Sequence, residues 1–486
     1  MSGKRLLTRL DRLSAARRLR HRDAARDRED LPDPARPAGA DLKPPIRHIV
    51  LLMMENHSFD NYLGRLGRGE GLPDPPPVNR ARDGTAVTAH PFSRPTQTEG
   101  VPSQSWRATH LQFGGGRNDG FVTAVEDLTP GADRTLGMGF WQESDLPFYH
   151  GLARTFPLAD RWFSSCLGPT FPNRRFLMAA TANGLIDDAI ASVIDRPSAG
   201  TIFDLLNRHG ISWANYHHVP PGHLWRKQLG GRQKRMATLA LGGLVPWIDH
   251  RVRGDIRCTA NLYPLGVART LGHLRHIEKF FEGAAAGELP AVSIVDPDFA
   301  LSSEENPQDI RIGESFAADV IDAVMRGRGW ERTLLIWFYD EHGGYYDHVA
   351  PPPAVEPDDV LPHSLVDGRG ARAWLIRHLH LFSELRREDD APGRYDRYGF
   401  RVPAVVVSPF AREAYVSSTT FDHTSALRLI EEKWNLPPLT RRDAAAASPW
   451  EMVDLDAPPA FRRPPPLPAA ALPHAWRRVE GLDSPP

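Results

Sequence analysis

Glu55 and Asn56 follow directly on the apolar run Ile49 to Met54, and Asp340 and Glu341 follow on another, Thr333 to Tyr339. Polar groups at the carboxyl ends of buried strands face the ligand crevice of an open α/β sheet, where carboxylates and an amide oxygen are placed to hold a cation. Two adjacent carboxylates after a buried strand are costly without a counter-charge, and a metal ion supplies one. The next residues, His342, Gly343 and Gly344, include a glycine pair that lets backbone approach a ligand closely. Each segment taken alone also has an ordinary reading. Asn56 or Ser58 caps a helix with Asp60 in its first turn, and the DEHGG string forms an acidic turn closed by a glycine at positive φ.

A third segment, CLGPTFPNRR from Cys166 to Arg175, supplies a different chemistry. Gly168 and Pro169 fix a sharp turn with Thr170 at its apex, and a helical pattern runs from Arg174 to Thr181. A hydroxyl at a turn into a helix, with arginines nearby, suits attack on a phosphorus-centred anion, because backbone N–H groups and guanidinium both stabilise it. The alternative is a capped proline turn. A fourth segment, Asp422 to Ser425, opens the helical pattern that ends at Trp434; His423 is a ligand or proton donor there, or Asp422 and Thr424 are no more than caps. Tyr216, His217 and His218 are similarly ambiguous.

The elements that must carry these residues alternate between strand and helix. Short apolar runs at Ile46 to Met54, Ala291 to Val295, Thr333 to Tyr339 and Val402 to Val407 read as buried parallel strands. Helical patterns lie between them at Gly200 to His209, Phe316 to Arg326 and Thr424 to Trp434, so a mostly parallel sheet covered by helices is expected. Arg65 to Asp133, rich in Gly, Pro and polar residues, reads as loops roofing the site. Residues 1–45 read as a basic helix with a Pro-rich linker, 46–454 as the catalytic domain, and 455–486 as a Pro-rich tail that wraps the surface or is disordered. The basic helix is either an anchor on an anionic surface or a solvated extension, the latter favoured by its acidic end at Asp27, Glu29 and Asp30.

Composition narrows the function classes. The 486 residues, 41% hydrophobic and 24% charged, are enough for a large core. Lys and Arg number 59 against 60 Asp and Glu, so no general basic excess recruits nucleic acid or anionic lipid, and no nucleic-acid partner is expected. Cys166 and Cys258 are the only cysteines, which excludes a disulfide framework and a multi-cysteine zinc site, leaving metal chemistry to oxygen and imidazole ligands. No apolar stretch approaches the ~18 residues of a membrane span, and the charged N-terminus has no apolar core of a secretory signal. Cytoplasmic residence is the default reading, with export by another route left open.

Taken together, HIVLLMMENHSFDNYLG, FSSCLGPTFPNRRFLMAAT, WFYDEHGGYYDHVAPP and FDHTSALRLIEEKW resemble, in this order, the hallmark segments of the phosphoesterase family. SWRATHLQFGGGRNDGFV and FWQESDLPFYHGLARTF are similar to further family segments, so the resemblance spans Ile46 to about Trp450. Its members include bacterial and plant non-specific phospholipases C and an acid phosphatase. The resemblance implies an alkaline-phosphatase-like α/β/α sandwich. It implies that Glu55, Asn56, Asp340 and Glu341, with Thr170, hold one divalent ion (Ca²⁺, Mg²⁺, Mn²⁺ or Zn²⁺), and that Thr170 is the nucleophile. Asn173 and Arg174 then contact the phosphoryl oxygens.

One departure matters. Where many members carry a His-Pro pair, the stretch SSEENPQDIRIGES places Asn306, which cannot act as a general acid near neutral pH. Proton transfer to the leaving group then falls to His342, His348 or His423, or the leaving group needs none. The expected activity is metal-dependent hydrolysis of phosphate esters, phospholipase C-like on phospholipids through a phosphothreonine intermediate, with peripheral membrane contact. A phosphomonoesterase and a catalytically weakened phosphate-binding homologue are the alternatives.

Overall fold

The computed structural model describes residues 24–97, 100–188, 199–218, 272–362 and 393–482, with 19, 197, 259 and 262. Of the basic helix expected near the N-terminus, the helical turn Ala24–Glu29 is described and most of the remainder lies outside the described residues, as do Cys258 and the segment 219–258.

Among the described residues, eight strands form the central sheet: β1 (His48–Met54), β2 (Leu158–Ala159), β3 (Trp213–His217), β4 (Leu274–His276), β5 (Val292–Val295), β6 (Thr333–Tyr339), β7 (Ala404–Val407) and β8 (Val416–Ser417), in the order β8-β2-β7-β6-β1-β5-β3-β4. β1 and β6 are apolar almost without interruption and buried on both faces, the pattern that parallel pairing between helix layers demands. Neighbours pair in parallel except around β7, which is antiparallel to both β6 and β2. The parallel strand expected at Val402 to Val407 is thus corrected in direction. Just before β7, Arg401 Nε reaches Asp347 Oδ1, beyond the carboxyl end of β6, at 2.8 Å, so the chain enters β7 from the sheet's carboxyl edge and runs back.

Helices Thr170–Ala179, Ile202–His209 and His423–Trp434 pack together as one group flanking the sheet. Glu278–Ala286, Ile310–Arg326 and Ala475–Val479, with Pro147–Thr155, form another. The segment expected as loops between 65 and 133 is more ordered than that. It holds the strand pair Val78–Arg80 and Ala86–Thr88 and the helices Trp106–Phe113 and Phe121–Leu128, around a small second core that includes Phe121, Met138, Phe140 and Phe400. Helix Trp106–Phe113 is capped by Ser105 and closed by Gly114 in the left-handed region, signals carried by single residues within a polar composition. The C-terminal tail wraps the molecule and buries Phe461 and Trp476, the indole donating to Asp319 Oδ2 at 2.7 Å. Among the described residues no helix is long and apolar enough to cross a membrane.

Candidate active site

Register builds the site. β1 and β6 pair in parallel with Met54 opposite Tyr339, so the residues just beyond, Glu55-Asn56 and Asp340-Glu341, emerge side by side. The Asp340 amide still donates to Met54 O at 3.2 Å, holding the two exits together. Beyond them both chains turn sharply. Asn56 takes φ 79°, a left-handed conformation that costs free energy and is tolerated best by Gly and Asn. Gly343, at φ 67°, passes so close that a Cβ there would lie 1.9 Å from Asn56 O, which is why glycine follows the acidic pair.

The side chains converge with acid in excess. The side-chain amide of Asn56 bridges the acids, its nitrogen donating to Asp340 Oδ1 at 2.9 Å and Glu341 Oε1 at 3.0 Å while its oxygen accepts from Gln104 Nε2 at 3.2 Å. Thr170 Oγ1 lies 3.4 Å from the same side-chain amide. Glu55, Asn56, Asp340 and Glu341 are all essentially inaccessible to solvent. Burial pushes the Asp340 carboxyl up to about 6, Arg174 opposing, and pushes Glu341 up further with Asp340 repelling it. Buried carboxylates beside a side-chain amide and a hydroxyl offer an oxygen donor set that suits a hard divalent ion. These residues fit a metal ion, which would offset the cost of ionising the buried acidic pair.

Thr170 is presented differently from the sequence reading. The helix starts at Thr170 itself, not at Arg174, because Pro169 serves as its N-cap. Asn173 is spent on that turn: its Nδ2 donates to Gly168 O at 2.8 Å and Pro169 O at 3.0 Å, and its Oδ1 accepts from Cys166 N at 3.0 Å. Arg174 is fully buried beneath the acids. Its Nε donates to Asp340 Oδ2 at 2.9 Å and its Nη1 to Asp296 Oδ1 at 2.8 Å, with Glu55 Oε1 at 3.6 Å. Where contacts with substrate were expected, the structure places Asn173 and Arg174 against protein partners. Asn173 clamps the turn that presents Thr170, and Arg174 is an internal counter-charge held from below.

The three histidines are likewise held by protein. His423 Nε2 donates to Asp340 O at 2.6 Å, and its Nδ1 faces Trp162 Nε1 at 3.5 Å. His342 Nε2 meets Gln112 Oε1 at 2.8 Å, with Nδ1 3.2 Å from Glu341 Oε2. Burial lowers both imidazoles to about 3, so each is neutral at pH 7. His348 Nδ1 pairs with Asp60 Oδ2 at 2.7 Å, away in a second acidic cluster with Asp347 and Arg401. Asn306 Oδ1 accepts from Tyr345 Oη at 2.9 Å.

Sequence reasoning passed over several partners of the site. Asp296 follows β5 as Asp340 follows β6, a strand-end signal that was there to be read; Asn215 Nδ2 and Thr259 N each donate to it at 2.8 Å. Glu304, buried and at φ 78°, accepts from the hydroxyls of Tyr62 at 2.9 Å, Tyr149 at 2.6 Å and Tyr339, and burial pushes it up to about 8. It fastens the residue before Asp340 to the segment whose Ser303 O accepts from Glu55 N. Asp188 Oδ1 accepts from the backbone of Phe171, next to Thr170, at 2.8 Å. Crowding by protein and the neighbouring Glu305, Asp187 and Asp340 raise its carboxyl to about 8, although it opens to solvent on one side.

Comparison with known proteins gives the class. The chain belongs to the phosphoesterase family, whose model matches residues 46–437, and it is a hydrolase acting on phosphoric ester bonds. It is 32% identical over 455 residues to phospholipase C B of Mycobacterium tuberculosis, covering 86% of this chain and 80% of the relative. It is 28% identical over 438 residues to non-specific phospholipase C6 of Arabidopsis thaliana, covering 83% and 71%. A solved alkaline phosphatase superfamily protein from Vibrio parahaemolyticus aligns with 93% of this chain and 80% of its own at a TM-score of 0.36 and 10% identity.

Proposed function

We propose that the chain cleaves phospholipids as a phospholipase C does, by attack of Thr170 on phosphorus, with one divalent ion held by Glu55, Asn56, Asp340, Glu341 and the Thr170 hydroxyl. The observation that carries this reading is the convergence of the buried Asn56, Asp340 and Glu341 side chains beside Thr170 Oγ1. The family and the names of the relatives support the ester bond and the substrate class. Ca²⁺, Mg²⁺, Mn²⁺ and Zn²⁺ all take such oxygen ligands. When bound, the ion polarises a phosphoryl oxygen and lowers the pKa of the Thr170 hydroxyl.

This chain's residues do the rest by position. The helix N-terminus sets Thr170 Oγ for in-line attack; a bond forms from Oγ to phosphorus as the bond from phosphorus to the glycerol oxygen breaks, releasing diacylglycerol. Water then displaces Thr170 from the phosphothreonine and frees the phosphorylated head group. Arg174 and His423 hold Asp340 by side chain and carbonyl, so the acidic pair does not reorganise during the step. His342, His348 and His423 each face protein partners, so the leaving oxygen takes its proton from solvent. A lipid substrate also requires the mouth of the site to meet a membrane surface.

The test is Thr170→Ala, assayed on bis(p-nitrophenyl) phosphate and on phosphatidylcholine vesicles with the divalent ion present. Turnover of both falls to background while circular dichroism and melting temperature stay at wild-type values. Undiminished turnover removes Thr170 as nucleophile.

A further inference from the structure

Side-chain amides around the site are fixed in one orientation where backbone holds them. Asn173 gives Nδ2 to Gly168 O and Pro169 O and takes Cys166 N on Oδ1. Gln112 Nε2 donates to Ser103 O at 2.9 Å, and Asn61 Nδ2 to Gly139 O at 2.8 Å. The Asn56 amide meets side chains instead: Asp340 and Glu341 take its nitrogen, and Gln104 Nε2 donates to its oxygen. Gln104 is itself an amide, half open to solvent, and can present either an N–H or an oxygen.

That arrangement conflicts with a ligand role for Asn56. An amide N–H cannot bind a cation, and it is the nitrogen that now faces the acids. A half-turn of the amide exchanges two atoms of nearly equal size, so Asn56, only 2% exposed, can present its oxygen there without repacking. The half-turn does change partners. The nitrogen arrives where the oxygen was and needs an acceptor, which Gln104 supplies if its own amide turns as well. We propose that Gln104 is a positioning residue for the ion: the Asn56 and Gln104 amides reverse together on ion binding, so that Asn56 Nδ2 donates to Gln104 Oε1. Both states then leave the pair hydrogen-bonded. The inference rests on the ion site proposed above.

The experiment follows the side-chain N–H signals of Asn56 and Gln104 by NMR in the metal-stripped full chain, isotope-labelled at Asn and Gln. The signals are assigned by their loss in Asn56→Asp and Gln104→Met. Mg²⁺, Ca²⁺ or Zn²⁺ is added, whichever calorimetry shows to bind. The Asn56 signals, shifted downfield by the carboxylates, move upfield in step with occupancy, and the Gln104 signals lose their hydrogen-bonded shift with them. Gln104→Lys, which only donates, weakens ion binding about tenfold, and Gln104→Glu, which only accepts, tightens it similarly. The same charges one residue away, in Ser103→Lys and Ser103→Glu, shift affinity by less than about threefold. Ion binding with unmoved Asn56 signals overturns the proposal, as does movement of Asn56 while Gln104 stays, or equal shifts from the two charge pairs. If no ion binds the wild type, the ion site itself fails and the reversal with it.

Discussion

Two acidic clusters stand at the same edge of the sheet, built from the same two segments, and only one is balanced. In the second, Asp60 and Asp347 meet Arg401, whose Nη2 lies 3.1 Å from Asp60 Oδ1 and whose Nε lies 2.8 Å from Asp347 Oδ1. The remaining acceptors are served by the backbone of His348 and Val349 at 2.7 and 3.0 Å, by Asp60 N at 3.3 Å and by His348 Nδ1. These three side chains, Asp60, Asp347 and His348, lie close enough together to hold a metal. Yet their charge and lone pairs are already answered within the chain. In the first cluster Glu55, Asp340 and Asp296 share one guanidinium, Arg174, with a fourth acid, Glu341, beside them. Satisfied acid makes a clamp, and acid in excess is where the proposed ion would fit.

The largest expected effect separates the clusters by rate. Asp340→Asn or Glu341→Gln should cost about three orders of magnitude in kcat/KM on a diester, since a lost ion contact removes several kcal/mol of charge stabilisation. A steady-state assay across ion concentrations checks this, and near-normal turnover at every concentration would return the acids to a structural role. Next comes stability. Arg401→Met leaves two buried carboxylates unpaired and should destabilise the fold by about 3–5 kcal/mol in urea denaturation while leaving ion affinity unchanged. A variant as stable as wild type would mean that the second cluster is not the clamp described.

A smaller effect follows from where the histidines sit. With the imidazoles turned to protein, rates should fall steeply as the leaving group becomes more basic, so a series of aryl phosphodiesters should give a strongly negative dependence on leaving-group pKa. A flat series would reveal a proton donor. The smallest effect concerns pH. Burial lowers the His348 pKa, but the hydrogen bond and charge of Asp60, with Asp347, outweigh it and leave the pKa raised. Its pairing therefore contributes stability fully below the unfolded value near 6.5, and that contribution is lost as pH rises through the folded pKa. The melting-temperature gap between wild type and His348→Asn should close over that window.

The contrast also shows what a sequence discloses. β6 was legible to the residue, and β1 nearly so, because a buried parallel strand needs an unbroken apolar run and the polar residue ending it marks the crevice. The acidic pairs and Thr170 could be found by that logic and by the family strings. Arg401 could not, since it lies 54 residues from Asp347 and 341 from Asp60, and spacing carries no trace of such pairing. Arg174 and Asn173 were visible as residues but their protein partners were not, because which way a side chain points depends on where the helix begins, and Pro169 moved that start. The reversed β7 was hidden for a related reason: an apolar run has no direction until the preceding segment's course is known.

The most direct measurement is calorimetric titration of Mn²⁺ into metal-stripped wild type, Glu341→Gln and Asp347→Asn, each shown to be folded. One ion should bind wild type and Asp347→Asn with similar affinity, and Glu341→Gln should lose at least tenfold. Binding that survives in Glu341→Gln and disappears in Asp347→Asn would contradict this assignment and place the ion in the other cluster.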